Sequence, residues 1–324
     1  MVDKDYVVAA VNRRGLPGFE VMRRWLAGAS LVLFVGCATP PSWQRDLQAA
    51  LTESRGSAQD LVVYFALPGR DTSDLMESRL PDAVVLSALV AGDFVAVIVD
   101  GVERKRLYME WIGGNDGMGV CVLDGQGSCY AARPGPQDPE QVAAFLNLCA
   151  SKRVELANLR SKLLQPNVGP AGQYALGCLL LDLGCRVHSG PLLLHAEVNG
   201  VVEARCRLAH LYALDGNVTA ARRWLQAAPK TPAAKWIEGY VLFKEQRYPE
   251  AVKVLQAALA TKQLGVDRQN AMLYLGKSLH QDKHDVQAIA ILEALVAEGT
   301  GSTFEAAATH TLGHIYNPDH EQGP

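Results

Sequence analysis

A chain of 324 residues, 49% hydrophobic and 20% charged, has enough apolar matter for about two globular domains with real cores. Its formal net charge of −3 gives no electrostatic footprint for nucleic acid, and there is no low-complexity tail. The seven cysteines (Cys37, Cys121, Cys129, Cys149, Cys178, Cys185, Cys206) contain no Cys-x-x-Cys pair, which excludes a dithiol redox motif or zinc site of ordinary spacing.

The first 21 residues carry no pattern. Arg23-Arg24 then precede an apolar run, Trp25 to Val35, and a small residue before Cys37, the layout of a secretion signal. The run is too short for a spanning helix, which needs roughly 20 residues. Its ending, Val35-Gly36-Cys37, resembles the lipobox of bacterial lipoproteins, with Phe34 where Leu is usual. The resemblance implies acylation of Cys37, a translation start at Met22, an over-extended stretch 1–21, a signal peptide 22–37 and a tether 38–42. Ala38 after the cysteine, with no Asp there, implies anchoring to the outer membrane facing the periplasm, an oxidising space. The alternative is a buried N-terminal element with an ordinary free cysteine.

From Trp43 the chain alternates. A helix is expected from Trp43 to about Ser54, then Leu61–Ala66 as a strand buried on both faces, because its apolar run has no polar alternation. After the loop Leu67–Thr72 a helix restarts with Ser73 or Thr72 as cap, and Pro81–Leu89 is another helix. Phe94–Asp100 is a second buried strand, Gly119–Tyr130 a hairpin with a Gly-rich turn, and Asp138-Pro139 opens an amphipathic helix through about Leu148.

Strand, helix, strand, hairpin and helix over 43–150 resemble a thioredoxin-like α/β sandwich. Active members carry Cys-x-x-Cys at the helix after the first strand. Here Arg70-Asp71-Thr72-Ser73 stand in that place, and Met118 stands where the facing proline belongs. Thiol–disulfide exchange needs a thiolate, so the resemblance implies a redox-inactive module. Cys121 and Cys129 flank Gly125 in the hairpin and are either a disulfide or two half-buried thiols. Cys178 and Cys185 lie too far apart along one helix to bridge, about 10 Å.

Residues 171–318 repeat. Small residues recur at Gly177, Ala209, Gly239, Gly276 and Gly313, and in three units another follows at Ala221, Ala251 and Ala288, then a large apolar residue, Trp224, Leu255 or Leu292. A period near 34 with two helical patterns per unit is the signature of a helix-turn-helix solenoid, whose helices cross closely only at Gly or Ala. Trp236-Ile237-Glu238-Gly239-Tyr240 followed by Tyr248-Pro249-Glu250-Ala251 resembles tetratricopeptide repeats. The last copy stops after one helix. The resemblance implies a concave, protein-binding groove lined by Tyr174, Cys178, Cys206, His210, Trp236, Tyr240, Phe243, Leu273, Lys277, His280, His310 and His314, with Trp236-Tyr240-Phe243 as an aromatic recognition stripe or as core.

The fold class expected is therefore α/β plus all-α: a thioredoxin-like sandwich followed by a tetratricopeptide-like α-solenoid. Paired catalytic carboxylates, a phosphate loop and a Ser-His arrangement are all missing from the sequence, and no cofactor or metal is expected. The function expected is non-catalytic: an envelope lipoprotein scaffold that holds a peptide or helix of an envelope protein, membrane-bound through its lipid and without nucleic-acid partners. The two rivals are a periplasmic thiol-redox protein using Cys121 or Cys129, and a metal-handling protein using the His310/His314 pair with His210 and His280.

Overall fold

The computed structural model describes residues 42–114, 117–165, 169–300 and 302–317, all in one compact unit, Pro41–Pro324. The signal-like stretch and Cys37 lie outside the described residues. The described chain forms an α/β region and then an all-α region.

The α/β region opens with α1 (Leu47–Ser57). This helix starts at Leu47, not Trp43, because the Asp46 carboxylate accepts from the amides of Gln48 and Ala49 while Gln44 bridges the edge strand at Val97. Next come β1 (Asp60–Ala66), α2 (Asp71–Arg79), α3 (Ala83–Ala91) and β2 (Phe94–Asp100), with β1 buried along its whole length. Ser73 is not a cap. It sits inside α2, buried, and its Oγ accepts from the Leu67 amide at 2.7 Å.

A further helix, α4 (Lys105–Trp111), comes after β2; its short mixed-charge sequence carries no legible period. The Asp100 carboxylate starts the turn before it, accepting from the amides of Val102 and Glu103, and Tyr108 and Trp111 then pack edge-on to Phe65 at 5.4 and 6.2 Å. Strands β3 (Gly119–Leu123) and β4 (Cys129–Pro134) complete a sheet of order β2-β1-β3-β4. β1 and β2 are parallel, as a helical crossover requires, and the other pairs are antiparallel.

Helix α5 (Pro139–Leu163) begins with a capping box between Asp138 and Gln141. It runs well past Leu148 because two arginines bind its second half to the sheet. Arg153 Nε donates to Asp60 Oδ2 at 2.6 Å, with Phe94 under its guanidinium, and Arg160 pairs with Asp124 in the β3–β4 turn.

The all-α region is a series of antiparallel pairs: α6 (Pro170–Asp182) with α7 (Arg186–Val198), α8 (Ala204–Leu214) with α9 (Val218–Ala227), α10 (Pro232–Lys244) with α11 (Tyr248–Ala260), and α12 (Arg268–Gln281) with α13 (Asp285–Glu298), then α14 (Thr303–Tyr316). The small residues sit where the pairs cross. A Cβ on Gly239 would lie 2.5 Å from Leu255 Cγ, and one on Gly276 would lie 2.7 Å from Leu292 Cγ. At Gly313 no atom lies within 4 Å, since no second helix comes after α14 among the described residues.

Each pair turns in the same way, on a left-handed residue seven positions after the small one: Gly184, Gly216, Gln246 and Lys283. The next amide returns to the helix in every case, from Cys185 to Leu180, Asn217 to Tyr212, Arg247 to Leu242 and His284 to Leu279. This is the Schellman ending, and two of its four left-handed positions are not glycine.

The two regions share one buried core. Leu176, Leu179, Leu180, Leu183 and Cys185 belong to the same buried cluster as the sheet. The free edge of β4 is covered by the α6–α7 turn, where the Ala132 amide donates to the Leu183 carbonyl at 3.1 Å. At the far end α14 returns to the start of α5, placing His310 Nδ1 3.9 Å from Asp138 Oδ2.

Candidate functional site

The first helices of the pairs (α6, α8, α10, α12, α14) contact one another in succession, and the first and last of them both touch α5. The inner face of this layer is marked by the rings of His210, Trp236, Tyr240 and Tyr274, which follow one another across α8, α10 and α12.

Much of the aromatic stripe is core. Trp236 and Tyr240 are 0% and 1% exposed, so they offer no surface to a partner, and only Phe243 is half-buried. His210 is buried too, edge-on to Trp236 at 4.9 Å and to Tyr240 at 5.5 Å. Burial, and after it the charge of Arg207, pushes the His210 imidazole down to about 3, so it is neutral at pH 7. Its Nδ1 and the Trp236 Nε1 are buried without a hydrogen-bond partner. Arg207 itself ties α8 to α6 and to the residue that precedes α12, pairing with Asp182 at 3.5 Å and Asp267 at 3.1 Å.

Cys206 and Leu273 are buried as well, while Tyr174, Cys178 and Lys277 are half-buried on this face. His280 is taken by the α12–α13 turn, where its Nδ1 lies 2.6 Å from Asp285 Oδ1. His310 and His314 face each other at 3.0 Å between Nε2 atoms, beside Asp138. Among the described residues no group of three or more His, Cys, Asp or Glu is placed to hold a metal ion.

What the structure adds is a pair of lysines over tyrosines. Lys244 Nζ lies 5.7 Å from the Tyr240 ring centroid, Lys277 Nζ lies 5.8 Å from that of Tyr274, and the two rings are 4.4 Å apart. Neither ammonium has a carboxylate within ion-pair distance among the described residues. Burial holds Lys277 below its ordinary value and the Lys244 charge adds to it; burial and then Arg186 do the same to Lys244. At the end of β4, Arg133 is likewise lowered by burial, and its guanidinium donates to the Ala132 and Leu183 carbonyls rather than to an acid. Among the described residues, Lys244 and Lys277 thus bring positive charge to the inner face with no carboxylate in ion-pair reach, in a chain whose net charge is negative. Sequence reasoning missed Lys244 and Tyr274. The Tyr240/Lys244 and Tyr274/Lys277 spacings, four and three along one helix, were the available signal.

Arg70-Asp71-Thr72-Ser73 lie at the start of α2. Arg70 precedes the helix without a side-chain cap bond, Asp71 and Thr72 are exposed, and Ser73 is buried. Met118 is buried, its carbonyl accepting from the Tyr108 hydroxyl at 3.1 Å and the Gly135 amide at 2.8 Å.

Cys121 and Cys129 are both buried thiols, but not opposite each other: the register pairs Cys121 with Ala132 and Cys129 with Leu123. Such diagonal neighbours stand about 7–8 Å apart at Cα, outside comfortable disulfide reach. Of the two alternatives for Cys121 and Cys129, the structure has them as free buried thiols, and Cys129 Sγ also lies 4.0 Å from Cys185 Sγ.

A concavity of 660 Å³ opens between α1 and α4 beside the β2 edge. Its charged lining (Arg45, Asp46, Asp100, Glu103, Arg104) holds both signs and so shows no comparable imbalance. No described helix is long and apolar enough to cross a membrane. Compared with known proteins, the chain matches no family model and no curated protein.

Proposed function

We propose that this chain is a non-catalytic scaffold whose tetratricopeptide-type array holds an acidic segment of a partner protein against its inner face. The observation that carries the reading is the Lys244/Lys277 pair, two ammonium groups over touching tyrosines with no acid in ion-pair reach among the described residues. A carboxylate-bearing segment supplies the missing charge and is attracted more strongly in a partly desolvated recess than on open surface. The repeated helix pair, with its small residue at the crossing and its left-handed turn, supports the repeat resemblance. The parallel β1/β2 pair followed by a hairpin and α5 supports the thioredoxin-like one. In this reading the thioredoxin-like region is structural, and a lipid on Cys37 tethers the molecule to the outer membrane.

The rival thiol-redox reading fares worse. A reactive cysteine is accessible and has a lowered pKa, whereas Cys129 is buried and its thiol is raised well above its ordinary value by Cys121. For the metal reading the structure offers the His310/His314 pair, with Asp138 Oδ2 3.9 Å from His310 Nδ1.

The test is a fluorescence-anisotropy titration of a labelled oligo-glutamate peptide against wild type and the Lys244→Gln/Lys277→Gln variant. Salt-sensitive binding, weakened at least tenfold in the variant, supports the reading. Equal binding by both proteins, or binding by neither, removes it.

A further inference from the structure

We propose that Cys129 and Cys185 form a disulfide that staples the edge strand of the sheet to the first turn of the helical array. Their sulfurs lie 4.0 Å apart, and the Cys185 thiol also lies 3.6 Å from the Cys129 carbonyl. A disulfide bond is about 2.05 Å long, so closing the gap takes about 2 Å of sulfur movement, which side-chain rotation supplies.

The backbone around the pair is already fixed. The Ala132 amide holds the Leu183 carbonyl, and Gly184 presses so closely on β4 that a Cβ there would lie 2.2 Å from the Ala132 oxygen. Cys185 immediately precedes α7, and its amide is held by the Leu180 carbonyl at 2.8 Å. Cys121 also abuts Cys129, but ladder hydrogen bonds on both strands hold those two in diagonal register. The two partners are 56 positions apart in sequence, so the bond closes a long loop and constrains the unfolded chain strongly.

The oxidant is a disulfide, either protein-borne or of low molecular weight. One cysteine thiolate attacks a sulfur of R–S–S–R and releases RS⁻, giving a mixed disulfide. The second thiolate then attacks the cysteine sulfur of that mixed disulfide and releases the other RS⁻. Two electrons pass to the oxidant, the two thiol protons end on two RSH, and Cys129–S–S–Cys185 remains. Cys129 and Cys185 are 3% and 0% exposed, so the first exchange takes place before the α6–α7 turn docks, and docking delivers the second sulfur.

The experiment is to refold full-length protein in a buffer of reduced and oxidised glutathione, block free thiols under denaturing conditions without reduction, and map the peptides by mass spectrometry. A linked peptide joining Cys129 to Cys185 is expected, with Cys37, Cys121, Cys149, Cys178 and Cys206 blocked. A Cys121–Cys129 link, or seven blocked thiols, overturns the proposal. As a second readout, oxidation should raise the melting midpoint by roughly 5–10 °C. Cys121→Ala should keep that rise and Cys185→Val should lose it; a rise that persists in Cys185→Val also overturns the proposal.

Discussion

Arg153, near the middle of α5, donates its Nε hydrogen to Oδ2 of Asp60, the first residue of β1, at 2.6 Å, and the Tyr130 hydroxyl donates to the same oxygen at 2.6 Å. One carboxylate therefore joins the central strand, the edge strand and the long helix. It is largely withdrawn from water, and removing its charge leaves the guanidinium without compensation. Asp60→Asn should cost about 2–4 kcal/mol of unfolding free energy, read from urea denaturation. Arg153→Met should cost less, because its stem packing survives. A loss below about 0.5 kcal/mol in Asp60→Asn would place this contact with the weak surface pairs.

The repeat glycines differ in a measurable way. Gly239→Ala drives a methyl group against Leu255 Cγ and should destabilise by about 1–3 kcal/mol. Gly313→Ala enters open space on α14 and should stabilise by about 0.5–1 kcal/mol through helix propensity alone. Thermal melts of the two variants should shift in opposite directions.

His210 makes stability depend on pH with a definite sign. Its folded value is about 3 against an ordinary 6.5, so between these limits the unfolded chain binds the extra proton. The stability linked to this group is fully present above pH 6.5 and falls as pH drops, by up to about 1.4 kcal/mol per unit. His210→Phe keeps an aromatic ring beside Trp236 and removes the titration. Its unfolding free energy should fall less than that of wild type between pH 6.5 and 4.5, above the range where most carboxylates titrate.

The lysine pair predicts a salt response. If positive charge on the inner face is uncompensated, screening it stabilises the unliganded protein. Raising sodium chloride from 0.05 to 0.5 M should raise the wild-type melting midpoint more than that of Lys244→Gln/Lys277→Gln. Identical responses would mean that the two ammonium groups do not feel each other or Arg186.

The sequence by itself determined whatever depends on local period and composition. Phe94–Asp100 forms the strand that its unbroken apolar run predicts, Asp138 caps the helix it precedes, and Gly239 and Gly276 meet the leucines that their spacing assigns to them. These features arise from interactions within a few turns of chain, so one-dimensional pattern carries them. The tertiary structure decided the rest. It buried Trp236 and Tyr240, which helical phase alone left open as groove or core, because neighbouring helices close over them. It extended α5 past Leu148 through Arg153 and Asp60, 93 positions apart. It brought Cys185 to within 4.0 Å of Cys129, because the docking of the α6–α7 turn on β4, rather than symmetry about Gly125, sets where those sulfurs meet. Contacts of this kind join residues distant in sequence, and a single chain's pattern has no term for them.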